Sequence, residues 1–294
     1  YFSFVKGLVD SQDLSLNISR EMLQHDRQLK LIAGRLEKKI QSELKSMLAN
    51  DRETYEKFWK NFGLQLKYGA YSDYGAHKEL LQDLLLFASS QEEGGLTTLA
   101  EYAGRMKEGQ KYIYYACAEN AERASHLPQT EVLRDQGYEI LYLSDDIDEF
   151  ALKMMRDYGD KEFRSVSDSD LGVEDDAKQE ELKKASEEHK DLLEEMQKAL
   201  EGKVAEVKLS GRLKSHPVCL STEGALSLEM EKVLNAMPGD SPVKAKLVME
   251  LNAGHPVFDT LCRLMASEEG RKKVDIYAQL LYQQALLIEG LPLE

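Results

Sequence analysis

Arg20 is the residue of this chain whose type and setting could do chemistry. It follows Ser19, precedes Gln24 by four positions, and sits where a polar loop gives way to a long apolar-periodic segment. Arginine stays charged at any working pH and presents a planar fork of donors that matches phosphate oxygens. A loop arginine beside a helix start can therefore stabilise charge on a phosphoryl group in transfer, provided a nucleotide is brought to it. An ordinary ion pair with Glu21 or Asp13 accounts for the same residue, and for an isolated arginine the physics favours that plainer account.

Other chemistry is sparse. The sequence has no Walker-type phosphate loop, no strand-linked dinucleotide-binding glycine turn, no HExxH zinc helix and no GxSxG nucleophile elbow. His25, His77, His126, His189, His216 and His255 are dispersed, with no second ligand one helical turn away, so they are expected at the surface or at helix caps, and no metal site is expected. Cys117, Cys219 and Cys262 are odd in number and lack CxxC spacing, which fits small buried hydrophobes in a reducing compartment.

The elements that must position such residues follow from periodicity. Met22, Leu23, Leu29, Ile32, Leu36, Ile40, Leu44 and Leu48 recur at three- or four-residue steps and predict one long helix over 21–50. A helical hairpin is expected next, from Asp51 to Phe62 and from Tyr71 to Phe87. Lys111–Cys117 and Tyr138–Leu143 are strand-like with a helical stretch between them, which predicts a parallel pair joined by a right-handed crossover. A helix should start near Asp146, capped by Asp145 or Asp146, and Phe163–Val166 should add an edge strand. Residues 165–176 have the composition of an exposed linker, and 175–202 that of one charged helix. Strands are then expected over 204–213, 218–221 and 244–251, with helices over 225–237, 256–267 and 271–289. Glu268-Glu269-Gly270 should separate the last two. The final helix is apolar almost all round, so a single core-facing stripe cannot hide it; burial on two sides at a subunit interface is expected, with a place near the domain centre as the alternative.

Composition sets outer limits. The 294 residues exceed what one hydrophobic core organises, so two or three domains are expected. Apolar residues make up 42% and charged residues 31%, which gives a globular chain with a charged exterior. A formal net charge of −15 with no basic cluster argues against nucleic acid. No apolar run is long enough to span a bilayer, and the start lacks the regions of a signal peptide, so a cytoplasmic protein without a membrane partner is expected. The opening Tyr1-Phe2-Ser3-Phe4-Val5 lacks an initiator Met, as expected for a piece of a longer polypeptide.

The stretch from Phe4 to Ser11 through Leu16-Asn17-Ile18-Ser19-Arg20-Glu21-Met22-Leu23-Gln24 resembles the catalytic loop of the bacterial ninety-kilodalton heat-shock chaperone family. Similar matches follow in order at Lys111–Tyr115, at Gly137–Leu143 with Asp146–Phe150, and at Glu250-Leu251-Asn252 with His255-Pro256-Val257. The resemblance covers the chain from the late middle domain into the C-terminal domain. It implies an α/β and α+β multidomain architecture: residues 1–22 ending a first αβα subdomain, 23–90 a helical connector, 91–168 a small αβα subdomain, 169–202 a hinge and charged helix, and 203–294 an α+β dimerisation domain with terminal helices.

The same resemblance implies an ATP-dependent chaperone that binds unfolded or partly folded client proteins as a homodimer. ATP and Mg would belong to the full-length parent, with no cofactor in this piece. Arg20 would reach the γ-phosphate, supported by Gln24. Client contact would fall on Glu149, Phe150, Leu226, Met230, Val233 and Leu234. Phe150 stands where some relatives have Trp. The dimer interface would use Tyr277, Leu280, Leu281, Gln284, Leu287 and Ile288. A stand-alone dimeric adaptor without ATPase activity is the alternative.

Overall fold

The computed structural model describes residues 1–10, 27–91, 94–173, 176–238 and 242–293. Helix α1, Arg27–Asn50, lays Ile40, Leu44, Met47 and Leu48 on the upper core. Its expected stripe is not buried throughout, because Leu36 is exposed. Asp51 caps α2, Arg52–Tyr71, by accepting from the Thr54 amide at 3.1 Å. This helix runs nine residues beyond the expected stop at Phe62. Gly63, inside it, lies against the Trp59 ring, where a Cβ would come within 2.6 Å of the indole.

The expected helix from Tyr71 to Phe87 does not form. Tyr74 and Gly75 take positive φ, a 3-10 turn covers Ser72–Gly75, and only the short α3, Lys78–Leu81, is α-helical before strand β1, Leu86–Ser89. Leu81, Leu84, Leu85 and Leu86 are all fully buried, and a run buried on every side carries no period that separates helix from strand.

Six strands form the upper sheet: β1, β2 at Leu96–Thr98, β3 at Tyr112–Cys117, β4 at Ile140–Leu143, β5 at Asp157–Tyr158 and β6 at Lys161–Ser165, in the order β2-β1-β4-β3-β6-β5. The β3–β4 pair is parallel as expected, with Tyr115 opposite Leu141. β6 also runs parallel to β3, and the β5 hairpin covers its outer side, so β6 is not the edge. Successive residues of β3 serve opposite faces. Ile113 and Tyr115 pack with α2 and with α7, Asp148–Met155. Tyr114 and Ala116 pack with α5, Ala121–Ser125, and α6, Glu131–Asp135. Helix α4, Leu99–Arg105, follows β2 with a capping box between Thr98 and Glu101. The expected cap of α7 is reversed: Asp148, inside the helix, accepts from the Asp145 amide at 3.1 Å.

The expected exposed linker is instead docked. Val166 and Leu171 are buried, the Ser169 amide donates to the Thr222 carbonyl at 3.0 Å, and the Thr222 amide donates to the Ser167 carbonyl at 2.7 Å. Few apolar residues suffice when backbone groups find partners on another strand. The charged segment beyond it is two helices, α8 at Asp176–Glu188 and α9 at Lys190–Ala199.

The lower sheet has three strands, β7 at Glu206–Leu209, β8 at Val218–Glu223 and β9 at Lys246–Leu251, in the order β7-β9-β8. Helix α10, Leu228–Ala236, lies between β8 and β9 in sequence. Met196 of α9 packs with Leu220, Met249 and residues of the last two helices, α11 at Pro256–Leu264 and α12 at Glu268–Ile288. Glu268, Glu269 and Gly270, expected as a separator, are the first turn of α12. Ser267 caps that turn by accepting from the Gly270 amide, and two carboxylates at a helix N-terminus are electrostatically favourable. A Cβ at residue 270 would fall 1.9 Å from the Leu264 carbonyl oxygen, so the tight α11–α12 turn requires glycine. No helix among the described residues is long and apolar enough to cross a membrane.

Candidate functional site

Helix α7 leaves the carboxyl end of β4 through Ser144–Ile147, and α10 begins at Ser227, whose hydroxyl accepts from the Met230 amide at 3.1 Å. The two helices come together from different sheets. Between them runs a crevice lined by Leu143, Phe150, Met230 and Val233 together with the acidic Asp145, Asp146, Glu149 and Glu229. It continues into a groove of about 390 Å³ that ends at Lys232, Ile288 and Glu289. Cys117 lies on the shared wall, and burial pushes its thiol well above the ordinary range, which disfavours the thiolate.

Glu149 and Phe150 both line the crevice but are held by different partners. Phe150 packs edge-on to Tyr71 at 5.9 Å and borders the crevice. The Glu149 carboxylate is 3% exposed, accepts from the Tyr115 hydroxyl at 3.1 Å and from the Ser227 hydroxyl, and has the Lys153 ammonium at 3.7 Å. Burial raises its pKa against the pull of those partners. Lys153 in turn donates to the Ala225 carbonyl at 2.6 Å. Met230, Val233 and Leu234 are half-buried, and Leu226 packs against the lower core.

The final helix has two unlike faces. Val274, Ala278, Leu281, Tyr282, Ala285 and Leu286 are buried in the lower core. Tyr277, Leu280, Gln284 and Leu287 are exposed, together with Ile276 at 67%. Two of the expected interface residues thus lie inward, because Leu281 is in the lower core and Ile288 packs against the upper one. Arg20 and Gln24 lie outside the described residues.

Polar groups join the two sheets around the groove. The Gln129 amide donates to the Leu220 carbonyl at 2.6 Å and to the Glu289 carboxylate at 2.5 Å. Burial pushes Glu289 up to about 7, although the Gln129 bond and the Lys232 charge favour its ionised form. Burial also opposes ionisation of Glu131, but there the Ser215 hydroxyl, the Lys214 amide and the His216 ring overcome it and bring the carboxyl down to about 2. Arg212 pairs with Glu250 at 3.0 Å and donates to the Val166 carbonyl at 2.8 Å, tying the lower sheet to the docked linker.

Of the residues singled out from the sequence, the structure brings Glu149, Phe150, Met230 and Val233 together around one crevice. Sequence reasoning missed Ser227, which a Ser three residues before an amide-donating position in a helix start could have flagged. It also missed Gln129, Glu131 and Arg212. Gln129 and Glu289 are 160 positions apart, and no spacing rule reaches that far.

Comparison with known proteins gives one answer along the whole chain. Residues 1–294 match the family model described as Hsp90 protein. Chaperone protein HtpG of Clostridium acetobutylicum is 60% identical over 294 residues, all of this chain and 46% of the relative. The proteins of that name from Halalkalibacterium halodurans and Bacillus subtilis are 59% and 57% identical over the same coverage. The chain spans about half the length of these curated relatives.

Proposed function

The chain belongs to the Hsp90 protein family, and on that premise we propose that it joins client binding to dimerisation in a bacterial cytoplasmic chaperone. The observation that carries this reading is the crevice where Phe150 of α7 faces Met230 and Val233 of α10. An aromatic ring beside a flexible, polarisable methionine repacks around apolar side chains of many shapes. A partner with that requirement is unfolded or partly folded protein, which exposes such side chains in no fixed pattern. Identity to chaperones along the whole chain favours this reading over a stand-alone adaptor.

The exposed face of α12 supports pairing with a second copy. Ile276, Tyr277, Leu280 and Leu287 form an apolar stripe at helical spacing, and such a stripe on a charged exterior suits a subunit contact. For ATP hydrolysis we assign Arg20 as the group that adds positive charge at the γ-phosphate, with Gln24 in support. ATP and Mg²⁺ would be held by the part of the relatives' length outside this chain.

The client reading is tested in the full-length protein by Met230→Glu with Leu234→Glu. The concentration needed to suppress aggregation of a heat-unfolded substrate is expected to rise about tenfold, a loss of about 1.4 kcal/mol of binding. Undiminished suppression by a correctly folded dimer would reject this surface.

A further inference from the structure

Glu149 sits in the middle of the proposed client surface, yet a client cannot reach its carboxylate. It is 3% exposed and already engaged by the Tyr115 and Ser227 hydroxyls, which are themselves 2% and 3% exposed. Glu149 and its ring-bearing neighbour Phe150 both line the crevice, but the Glu149 carboxylate oxygens are taken up by Ser227 at the start of α10 and by Tyr115.

Resting on the client reading above, the geometry points to Glu149 as a positioning residue that sets the gap between Phe150 and Met230 and does not itself touch the client. One turn of α7 grips the lead-in to α10 with groups of both polarities. Glu149 accepts from Ser227, while Lys153, four residues on, donates to the Ala225 carbonyl at 2.6 Å. Leu226, between those two anchors, is thereby seated on the lower core. The Ser227 hydroxyl donates to Glu149 and accepts from the Met230 amide at 3.1 Å, so one oxygen links the α7 carboxylate to the first turn that carries Met230. Tyr115 of β3 fixes the other carboxylate oxygen at 3.1 Å, which anchors the brace in the upper sheet. A buried carboxylate with two hydroxyl donors and a cation near it is held in one orientation, so it fixes distance between units that sequence separates by 78 positions.

The test compares Glu149→Gln, Glu149→Ala, Ser227→Ala and the Glu149→Ala/Ser227→Ala double variant in the full-length protein. Affinity for a carboxymethylated, permanently unfolded polypeptide is measured together with hydrogen exchange at the Met230 amide. Ser227→Ala and Glu149→Ala are each expected to weaken binding about fivefold, the scale of one ordinary hydrogen bond, and to speed exchange at Met230. The double variant should be no weaker than the weaker single one, because both break the same brace. Glu149→Gln keeps an acceptor and should stay within about twofold of the parent.

If Glu149→Gln loses as much as Glu149→Ala while Ser227→Ala binds normally, the carboxylate contacts the client directly and the brace is overturned. Additive losses in the double variant overturn it as well. Should Glu149→Ala fail to fold, Ser227→Ala, which removes one oxygen, and Glu149→Gln decide the matter between them. Phe150→Ala separates the two ideas. Unchanged binding in that variant rejects the client surface, whereas weakened binding there with normal binding in Ser227→Ala rejects only the brace.

Discussion

The guanidinium of Arg20 keeps its charge in any setting, so its role depends on which anion reaches it. If it acts as the proposed finger, Arg20→Ala in the full-length protein should lower ATP turnover by about a hundredfold or more and leave ATP affinity within a few-fold. Single-turnover hydrolysis alongside nucleotide binding measures both, and undiminished turnover returns Arg20 to an ion-pair role. The finger role is implied only by the neighbours of Arg20 from Leu16 to Gln24, since spacing alone leaves the plainer reading ahead. Glu149 is the opposite case. Its position was legible from the sequence, but its surroundings were not, because Tyr115 and Ser227 approach it from 34 and 78 residues away.

Among the elements, helices with one apolar stripe and a polar cap were the easiest to read. The starts of α2 at Asp51 and of α11 at Pro256 are examples, with Asp51 accepting from the Thr54 amide at 3.1 Å and His255 from the Val257 amide at 3.2 Å. The leucines from Leu81 to Leu86 misled because burial on all sides erases periodicity, and there the strand β1 replaced an expected helix. Helix α12 reads differently again. Apolar residues all round it predicted burial on two sides, and the structure supplies one of them, the lower core under Val274, Ala278 and Leu281. Leu280→Glu with Leu287→Glu, both on the outer face, should therefore turn a dimer into a folded monomer, with the far-ultraviolet helical signal retained. Light scattering after size exclusion checks this, and a dimer of unchanged mass would remove the outer face as the contact.

For the molecule as a whole, two carboxyl groups at the junction of the sheets tie its stability to pH in opposite directions. Glu131 is held at about 2, below its ordinary 4.5, so its contribution is complete above pH 4.5 and is lost as pH falls toward 2. Glu289 is pushed up to about 7, so its contribution is complete below pH 4.5 and is lost as pH rises through 7. Gln129, Lys232, Glu229 and Arg123 are the groups that face it. Urea midpoints should accordingly decline from pH 5 to 8, and Glu289→Gln should flatten that limb while Glu131→Gln flattens the acid one. An undiminished slope in Glu289→Gln would assign the alkaline limb to other groups.

The sequence by itself determined the parallel β3–β4 pair, the mixed helix-and-sheet class and the family. These rest on local period and on residue strings that need no partner to be recognised. Only the tertiary structure decided that residues 165–173 dock on the lower sheet and that Glu149 faces Ser227. The same holds for the two faces of α12. Each of these depends on which distant backbone or side-chain group satisfies a buried polar atom or covers an apolar face, and chain order carries no measure of that proximity.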